Sequence, residues 1–391
     1  MQHPFKLALS VLALTSAAFA SGQAAAQTQG VSKDQIVIGS IQDLSGPVAG
    51  LSKPVKMGME MRVEEINEQG GVNGRKLVLK FEDSGYDPKR AVLAAQKLVN
   101  QDKIFIMISH TGTAQNIATF PVLFEKNVVN LFPVSSAREM YEPLNKLKYA
   151  YNATYLDQIK RVAPILVKEK SARKVCAVYQ DDDFGREVAT GAEVGLKSIG
   201  MELVEKASFK RGAMDFSSQV ARVKAADCDF VVLGTVIRET VGVMAEARKM
   251  GFNPTFLGSS AAYADVIPKL GGKVTEGLYA SMTEQQPYLD DESPALRAWA
   301  HKYKARFNED PQVYAVYGYS AVDVFAKAAQ KAGPNLTTES FIQAMDSMTL
   351  PPDMFGSPEM SFTATKRLGS DQARISQIQG GRWKVVSKYV K

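Results

Sequence analysis

The sequence predicts an α/β protein made of two doubly wound parallel-sheet lobes. Three observations carry that reading. Strand-like and helix-like segments alternate with short connections through most of the 391 residues. Runs such as IFIMIS and FVVLG are apolar from end to end, as strands covered on both faces are. The pattern also sounds twice: IVIGSIQD, ending at Asp43, and KVCAVYQD, ending at Asp181, each lead into a helix. The echo is architectural, since the two halves share no visible repeat of residues.

The first unit is the clearest. A β-branched strand over 36–41 enters the small polar turn Asp43-Leu44-Ser45-Gly46-Pro47. A helix over 55–69 follows, with Val55, Met59, Val63 and Ile66 spaced to bury one face. Gly70-Gly71 ends it, and Asn73-Gly74 turns the chain into a strand over 76–82. Asp87 then caps a helix over 88–101 with Pro88 in its first position. Strands follow at 104–109, 128–132, 174–179, 202–209, 229–234, 255–257 and 277–281. Helices lie near 113–126, 156–170, 185–199, 215–226 and 238–250. Beyond Met282 the chain turns helical: Ser293-Pro294 opens one helix, and others span 314–331 and 338–348. Two short strands around Gly380-Gly381 form a closing hairpin. Such an ending returns the chain between the lobes, with several strands as the hinge. The expected division is 33–150 with 284–371, and 151–283 with 372–391.

The start, 1–26, reads as a secretory signal: Lys6, a short apolar run over 7–14, then small residues, with cleavage after Ala20 or Ala26. That run is too short to span a bilayer, and no cysteine nearby would accept a lipid. A chain 45% hydrophobic and 23% charged can fill globular cores without disulfide staples. Cys176 and Cys228 stand in or just before strands, as a disulfide permitted by export or as two buried thiols. The net charge of +6 is spread along the chain, which argues against a nucleic-acid face. A mild positive field favours organic anions.

Catalytic equipment is sparse. His110 and His301 have no acidic or thiol neighbours at metal-ligand spacing, and there is no nucleophile elbow. Asp181, Asp182 and Asp183 read as a helix start rather than a cation site. The chain is therefore read as a non-enzyme with neither cofactor nor metal. The turns after parallel strands are more informative. HTGTA (110–114) and PVSSA (133–137) each follow a buried strand and offer hydroxyls and free N–H groups suited to a carboxylate. Either turn alone would serve as a helix cap; two in one lobe point to a site.

At these residues a family emerges. DLSGP (43–47), EEINEQGGVNGRKL (64–77), the Asp83–Asp87-Pro88 spacing and DDDFG (181–185) resemble the periplasmic leucine/isoleucine/valine-binding proteins, solute receptors of ATP-driven importers. The resemblance spans about residues 33 to 391. It implies two lobes joined by three crossovers, the periplasmic binding protein type I arrangement, closing on a small solute in the periplasm. It also implies permease and ATPase subunits as partners and a monomeric receptor. The solute carboxylate would be held by Thr111, Gly112 and Thr113 and by Ser135, Ser136 and Ala137. Phe184 would cover it from the other lobe, and Ser45 and Thr235 lie in turns expected at the cleft.

One departure bears on the solute. Amino-acid binders of this family carry an acidic residue where GSSAAYAD (258–265) has Ser260. A buried ammonium left without a partner costs on the order of 3–5 kcal/mol. The expectation is therefore a carboxylate lacking the amine, aromatic or aliphatic, an aromatic one packing on Phe184 and Tyr263. Asp183 or Glu239 remain able to supply the missing charge for a branched-chain-type amino acid. Tyr263 alternatively packs at a helix start, and Tyr155 either lines the cleft or packs the hinge. A small-molecule sensor of the same fold, or a secreted enzyme, are the competing functions.

Overall fold

The computed structural model describes residues 28–390. The signal reading of 1–26 falls outside them. The first lobe begins with β1 (Gln35–Gln42), α1 (Ala49–Glu68), β2 (Lys76–Asp83), α2 (Pro88–Asn100), β3 (Ile106–Ile108), α3 (Thr113–Glu125), β4 (Val129–Leu131) and β5 (Lys148–Tyr149). Its five strands run parallel in the order β2-β1-β3-β4-β5. The second lobe continues with α4 (Tyr155–Glu169), β6 (Val175–Gln180), α5 (Asp183–Lys197), β7 (Leu203–Phe209), α6 (Ser217–Ala225), β8 (Phe230–Gly234), α7 (Ile237–Lys249), β9 (Thr255–Gly258), α8 (Val266–Gly271) and β10 (Tyr279–Met282). Then come α9 (Pro294–Phe307), α10 (Val313–Ala332), α11 (Thr338–Met345), β11 (Thr349–Leu350), β12 (Met360–Ser361), β13 (Arg374–Gln379) and β14 (Arg382–Val385).

The apolar strands do what their composition requires. β3, β4 and β8 are buried at every position. Asp87 accepts from the Arg90 N–H with Pro88 in the first turn of α2, and Asp182 caps α5 by accepting from the Gly185 N–H. One helix start and three short strands differ from the sequence reading. Helix α1 starts at Ala49 rather than near 55 and carries Pro54 inside it. Pro54 stands in the second turn, where it forfeits the bond to the Gly50 carbonyl, and the packing of the rest of α1 sustains the helix across it. The short β5, β11 and β12 have no hydrophobic run to announce them and exist through pairing alone.

Helices α9 and α10 pack on α1 of the first lobe. α10 lies on α1 so closely that a methyl at Gly58 would strike the Ala315 carbonyl, and one at Gly318 the Val55 carbonyl. Glu65 of α1 fastens the cluster by accepting from Lys302 of α9 and Tyr319 of α10, both at 2.6 Å. β13 and β14 join the second sheet antiparallel beside β10, giving the order β14-β13-β10-β9-β8-β6-β7.

The chain crosses between lobes after β5, after β10 and before β13. The first and third crossings are paired: Ala150 N–H donates to the Arg367 carbonyl at 2.8 Å, and Gly369 N–H to the Ala150 carbonyl at 3.0 Å. The second is tied to the segment before the third by Gln285 N–H donating to the Phe355 carbonyl at 2.8 Å. This is the three-strand hinge of a type I binding-protein fold.

Of the two readings left open for Cys176 and Cys228, the structure shows the disulfide, with a Cα–Cα separation of 6.0 Å. It links β6 to the residue pair just before the adjacent β8 and closes a loop with a sequence separation of 52. A cross-link over that length removes about 4 kcal/mol of denatured-state freedom. Reduction, or Cys228→Ser, is expected to lower the urea midpoint accordingly. Equal midpoints with and without reductant would mean that the bridge contributes nothing.

A candidate solute cavity between the lobes

A cavity lies between the C-terminal ends of the first-lobe strands and the facing turns of the second lobe. Its empty volume, opening included, is about 780 Å³. Seven aromatic residues line it: Tyr86, Phe132, Tyr151, Tyr155, Phe184, Tyr314 and Tyr317. Val48, Leu51, Val134, Val236 and Ala261 add aliphatic surface. Among the described residues, no lining side chain is charged.

Much of the polar lining comes from two turns. After β3, Gly112 sits at φ 98° as the N-cap of α3 and provides no side-chain cap. A side chain there would collide with Gln115 and approach the Tyr86 ring to 3.1 Å. The N–H groups of Thr113, Ala114 and Gln115 therefore begin the helix without a bond among the described residues, as uncapped helix starts leave them. The turn is braced from behind. Asn116 Nδ2 donates to the carbonyls of His110 (2.8 Å) and Gly112 (2.7 Å), and Thr111 Oγ1 donates to Gln42 Oε1 (2.7 Å). After β4, Ser135 Oγ pairs with Thr113 Oγ1 at 2.8 Å, so the two turns are joined. The Ser136 hydroxyl has no partner among the described residues and lines the cavity.

Tyr155, the first residue of α4, and Phe184, in the first turn of α5, meet edge to face with centroids 4.9 Å apart. Their rings form one wall, so Tyr155 lines the cavity rather than only packing the hinge. Ser260 lines it too, and its carbonyl accepts from the Tyr314 hydroxyl across the lobes at 3.2 Å. Thus Thr111, Gly112, Thr113, Ser135, Ser136, Tyr155, Phe184 and Ser260 all reach the cavity.

Four expected residues do not. The Ser45 hydroxyl, exposed at the surface, donates to Asp83 Oδ2 at 2.5 Å, because the DLSGP turn folds back onto the end of β2. Val48 and Leu51 face the cavity in its place. Ala137 is buried behind Ser135, to whose hydroxyl its N–H donates at 3.3 Å. Thr235 is fully buried with its hydroxyl 2.6 Å from that of Thr240, leaving Val236 in the wall. Tyr263 is buried against Trp383, with centroids 5.0 Å apart, and its hydroxyl accepts from the Gln286 N–H at 2.8 Å. The short 3-10 turn Ser260–Ala262 carries it behind the wall and leaves Ala261 in front.

The two acids considered for the missing charge are also placed elsewhere. Asp183 is half exposed and paired with Arg186 at 3.2 Å. Glu239 is 2% exposed, outside the lining, and burial raises its pKa. Sequence reasoning missed Tyr86, Tyr151, Asn152, Tyr314 and Tyr317. Tyr86 carried a usable signal, lying in the turn after β2 just as the other contacts follow β3 and β4. The Tyr314 and Tyr317 pair had none, since α10 reaches the cavity only through tertiary packing.

The lobes touch around the cavity. The Arg211 guanidinium pairs with Asp182 at 2.6 Å and lies over the Tyr86 ring of the other lobe at 5.3 Å. Helix α3 packs near α5, and Gly50 of α1 faces Ile237 of α7. Glu187 of α5 accepts from the Arg138 N–H at 3.1 and 3.2 Å, again between lobes.

A family profile described as periplasmic binding protein matches residues 35–382. The chain belongs to that family. Its relatives are of the leucine/isoleucine/valine-binding type. The leucine-, isoleucine-, valine-, threonine- and alanine-binding protein of Pseudomonas aeruginosa is 28% identical over 82% of this chain and 83% of its own length. The leucine-specific-binding protein of Salmonella typhimurium is 26% identical over 79% and 82%. Among solved structures, a branched-chain amino acid transporter protein from Thermus thermophilus with bound valine superposes with a TM-score of 0.82 at 20% identity, covering 92% of this chain and 97% of its own. A fatty acid transporter substrate-binding protein from Thermomonospora curvata gives 0.84 at 23% identity, covering 93% and 94%. These two likenesses concern the fold. The named relatives are binding proteins rather than enzymes. Among the described residues no cluster of three or more potential metal ligands occurs, and no helix is long and apolar enough to cross a membrane.

Burial, with Glu139 nearby, pushes the Glu187 carboxyl up to about 8. A raised carboxyl favours the folded, closed form while it keeps its proton; that contribution is whole below the ordinary value near 4.5 and is lost as pH rises through about 8. Melting temperature is expected to fall by a few degrees between about pH 6 and about pH 9. Glu187→Gln should remove part of that slope. Glu284, raised to about 7, contributes in the same direction, so the difference between the two profiles is the quantity to read. Superimposable profiles would show that Glu187 keeps no proton in this range.

Proposed function

We propose that this chain is a periplasmic receptor that delivers a small carboxylate to an ATP-driven importer. The preferred cargo is an aromatic acid without an α-amine. The uncapped start of α3 inside an uncharged, aromatic cavity carries this reading. Exposed N–H groups and the positive end of the helix stabilise an anion. In a cavity closed by two lobes each such bond keeps much of its strength, roughly 1.5–3 kcal/mol to a charged partner. The N–H groups that open α3 and the hydroxyls of Thr113, Ser135 and Ser136 would receive the carboxylate, while Thr111 and Gly112, whose own N–H groups are spent on the Ile41 and Val134 carbonyls, only shape the turn; Phe184 and Tyr155 would pack on its ring. Permease and ATPase partners, action as a monomer and a periplasmic location belong to the same proposal, and membership of the periplasmic binding protein family supports it.

The same lining argues against an ammonium group. Ser260, which the resemblance sets at the acidic position of amino-acid binders, is in the lining, and Asp183 and Glu239 are not. The names of the relatives support a second reading, a branched-chain amino acid. The two are separated by a thermal-shift panel of benzoate, phenylpropanoate and hexanoate against leucine, isoleucine and valine. A bound acid at ~100 times its dissociation constant adds about 2.7 kcal/mol of stability. Aromatic acids are expected to raise the melting point and the amino acids to leave it unchanged; the reverse pattern would overturn the carboxylate reading. Ser136→Ala should weaken the bound acid roughly tenfold by calorimetry, and equal affinity would remove that hydroxyl from the site.

A further inference from the structure

The cavity has a second polar pole. Asn152 lines it from the first crossover, and its Nδ2 donates to Glu284 at 3.2 and 3.5 Å. Glu284 is fully buried on the second crossover and also accepts from the hydroxyls of Thr283 (2.5 Å) and Ser357 (3.3 Å). Once Glu284 is ionised, which burial delays to about pH 7, the donors around it fix which way the amide is turned, nitrogen toward the acid. The Asn152 carbonyl oxygen is left buried with no hydrogen-bond partner among the described residues. Buried carbonyls are nearly always paired, so one left over on a cavity-lining residue calls for a donor from the cavity's occupant.

The spacing of the poles limits that occupant. The helix-start turn follows β3, Ser136 follows β4 and Asn152 follows β5, on neighbouring strands of one sheet. Strands lie about 4.8 Å apart, which separates the outer positions by about 10 Å. Phe132, Tyr151, Tyr155, Phe184, Tyr314 and Tyr317 line the same cavity. That is the room for one ring with a polar group at each end.

Resting on the carboxylate reading above, we infer that the cargo is a hydroxyaromatic acid, its carboxylate at the α3 end and its phenolic hydroxyl donating to Asn152 Oδ1. Glu284 then acts as a positioning residue: it holds the amide so that the carbonyl is presented to the ring hydroxyl. Specificity comes from the lone carbonyl, since an acid that lacks the donor leaves it unpaired.

Calorimetry on matched pairs tests this: para-hydroxybenzoate against benzoate, and para-hydroxyphenylpropanoate against phenylpropanoate. In the wild type the phenol of at least one pair should bind on the order of tenfold tighter than its unsubstituted partner. The para-methoxy analogue, similar in size but with no donor, should lose that gain. In Asn152→Leu, with folding checked by its melting curve, the gap should close to within about twofold. Acids that bind without preference, a methyl ether as tight as the phenol, or a preference that survives in Asn152→Leu would each overturn the inference and leave the carboxylate reading standing. Binding of amino acids with none of the acids would overturn both.

Discussion

Much of this molecule is arranged around one open helix end. Helix α3 starts inside the cavity with its first N–H groups unbonded, because Gly112 adopts a backbone conformation that leaves no side chain to cap them. In water such an end would be satisfied by solvent. Between two closed lobes less solvent reaches it, and an anion would be the stronger partner. The rest of the first lobe holds that end still: Asn116 gathers the carbonyls beneath it, Gln42 grips Thr111, and the Thr113–Ser135 hydroxyl pair binds the neighbouring turn to it. An arrangement set before binding loses little entropy when the ligand arrives.

Closure supplies the other half. Phe184, Val236, Ser260 and Ala261 come from the second lobe, so the wall is complete only when the lobes meet. The polar contacts that bring them together stand outside the cavity: Arg211 with Asp182 and Tyr86, and the buried Glu187, protonated below about pH 8, with the Arg138 amide. The Arg211–Asp182 charges are thus used at the rim, where solvent lowers their desolvation cost, and kept out of the lining. The buried Glu284 is an exception of a specific kind, one step behind the wall and surrounded by hydroxyl and amide donors.

Several parts of this were legible without coordinates. The buried strands and the helix starts at Asp87, Asp182 and Ser293 follow from period and capping chemistry, which act over a few residues. The turns at 110–114 and 133–137 were legible as polar, small and placed after parallel strands. Ser45, Thr235 and Tyr263 show where such reasoning stops. Each lies in the right turn, yet each side chain is taken up by a neighbour (Asp83, Thr240 and Gln286) that no local pattern reveals.

What the sequence determined by itself was the order and type of elements and the places where backbone would be free, because propensity, periodicity and glycine conformation are properties of short stretches. Tertiary structure decided which residues face the cavity. Tyr86, Asn152, Tyr314 and Tyr317 arrive from three separate segments, Glu284 reaches Asn152 across 132 positions, and Cys176 meets Cys228 because β6 and β8 are adjacent in the sheet. Those outcomes depend on strand order and on where the chain recrosses the hinge, and contacts between distant segments exist only once the whole chain has packed.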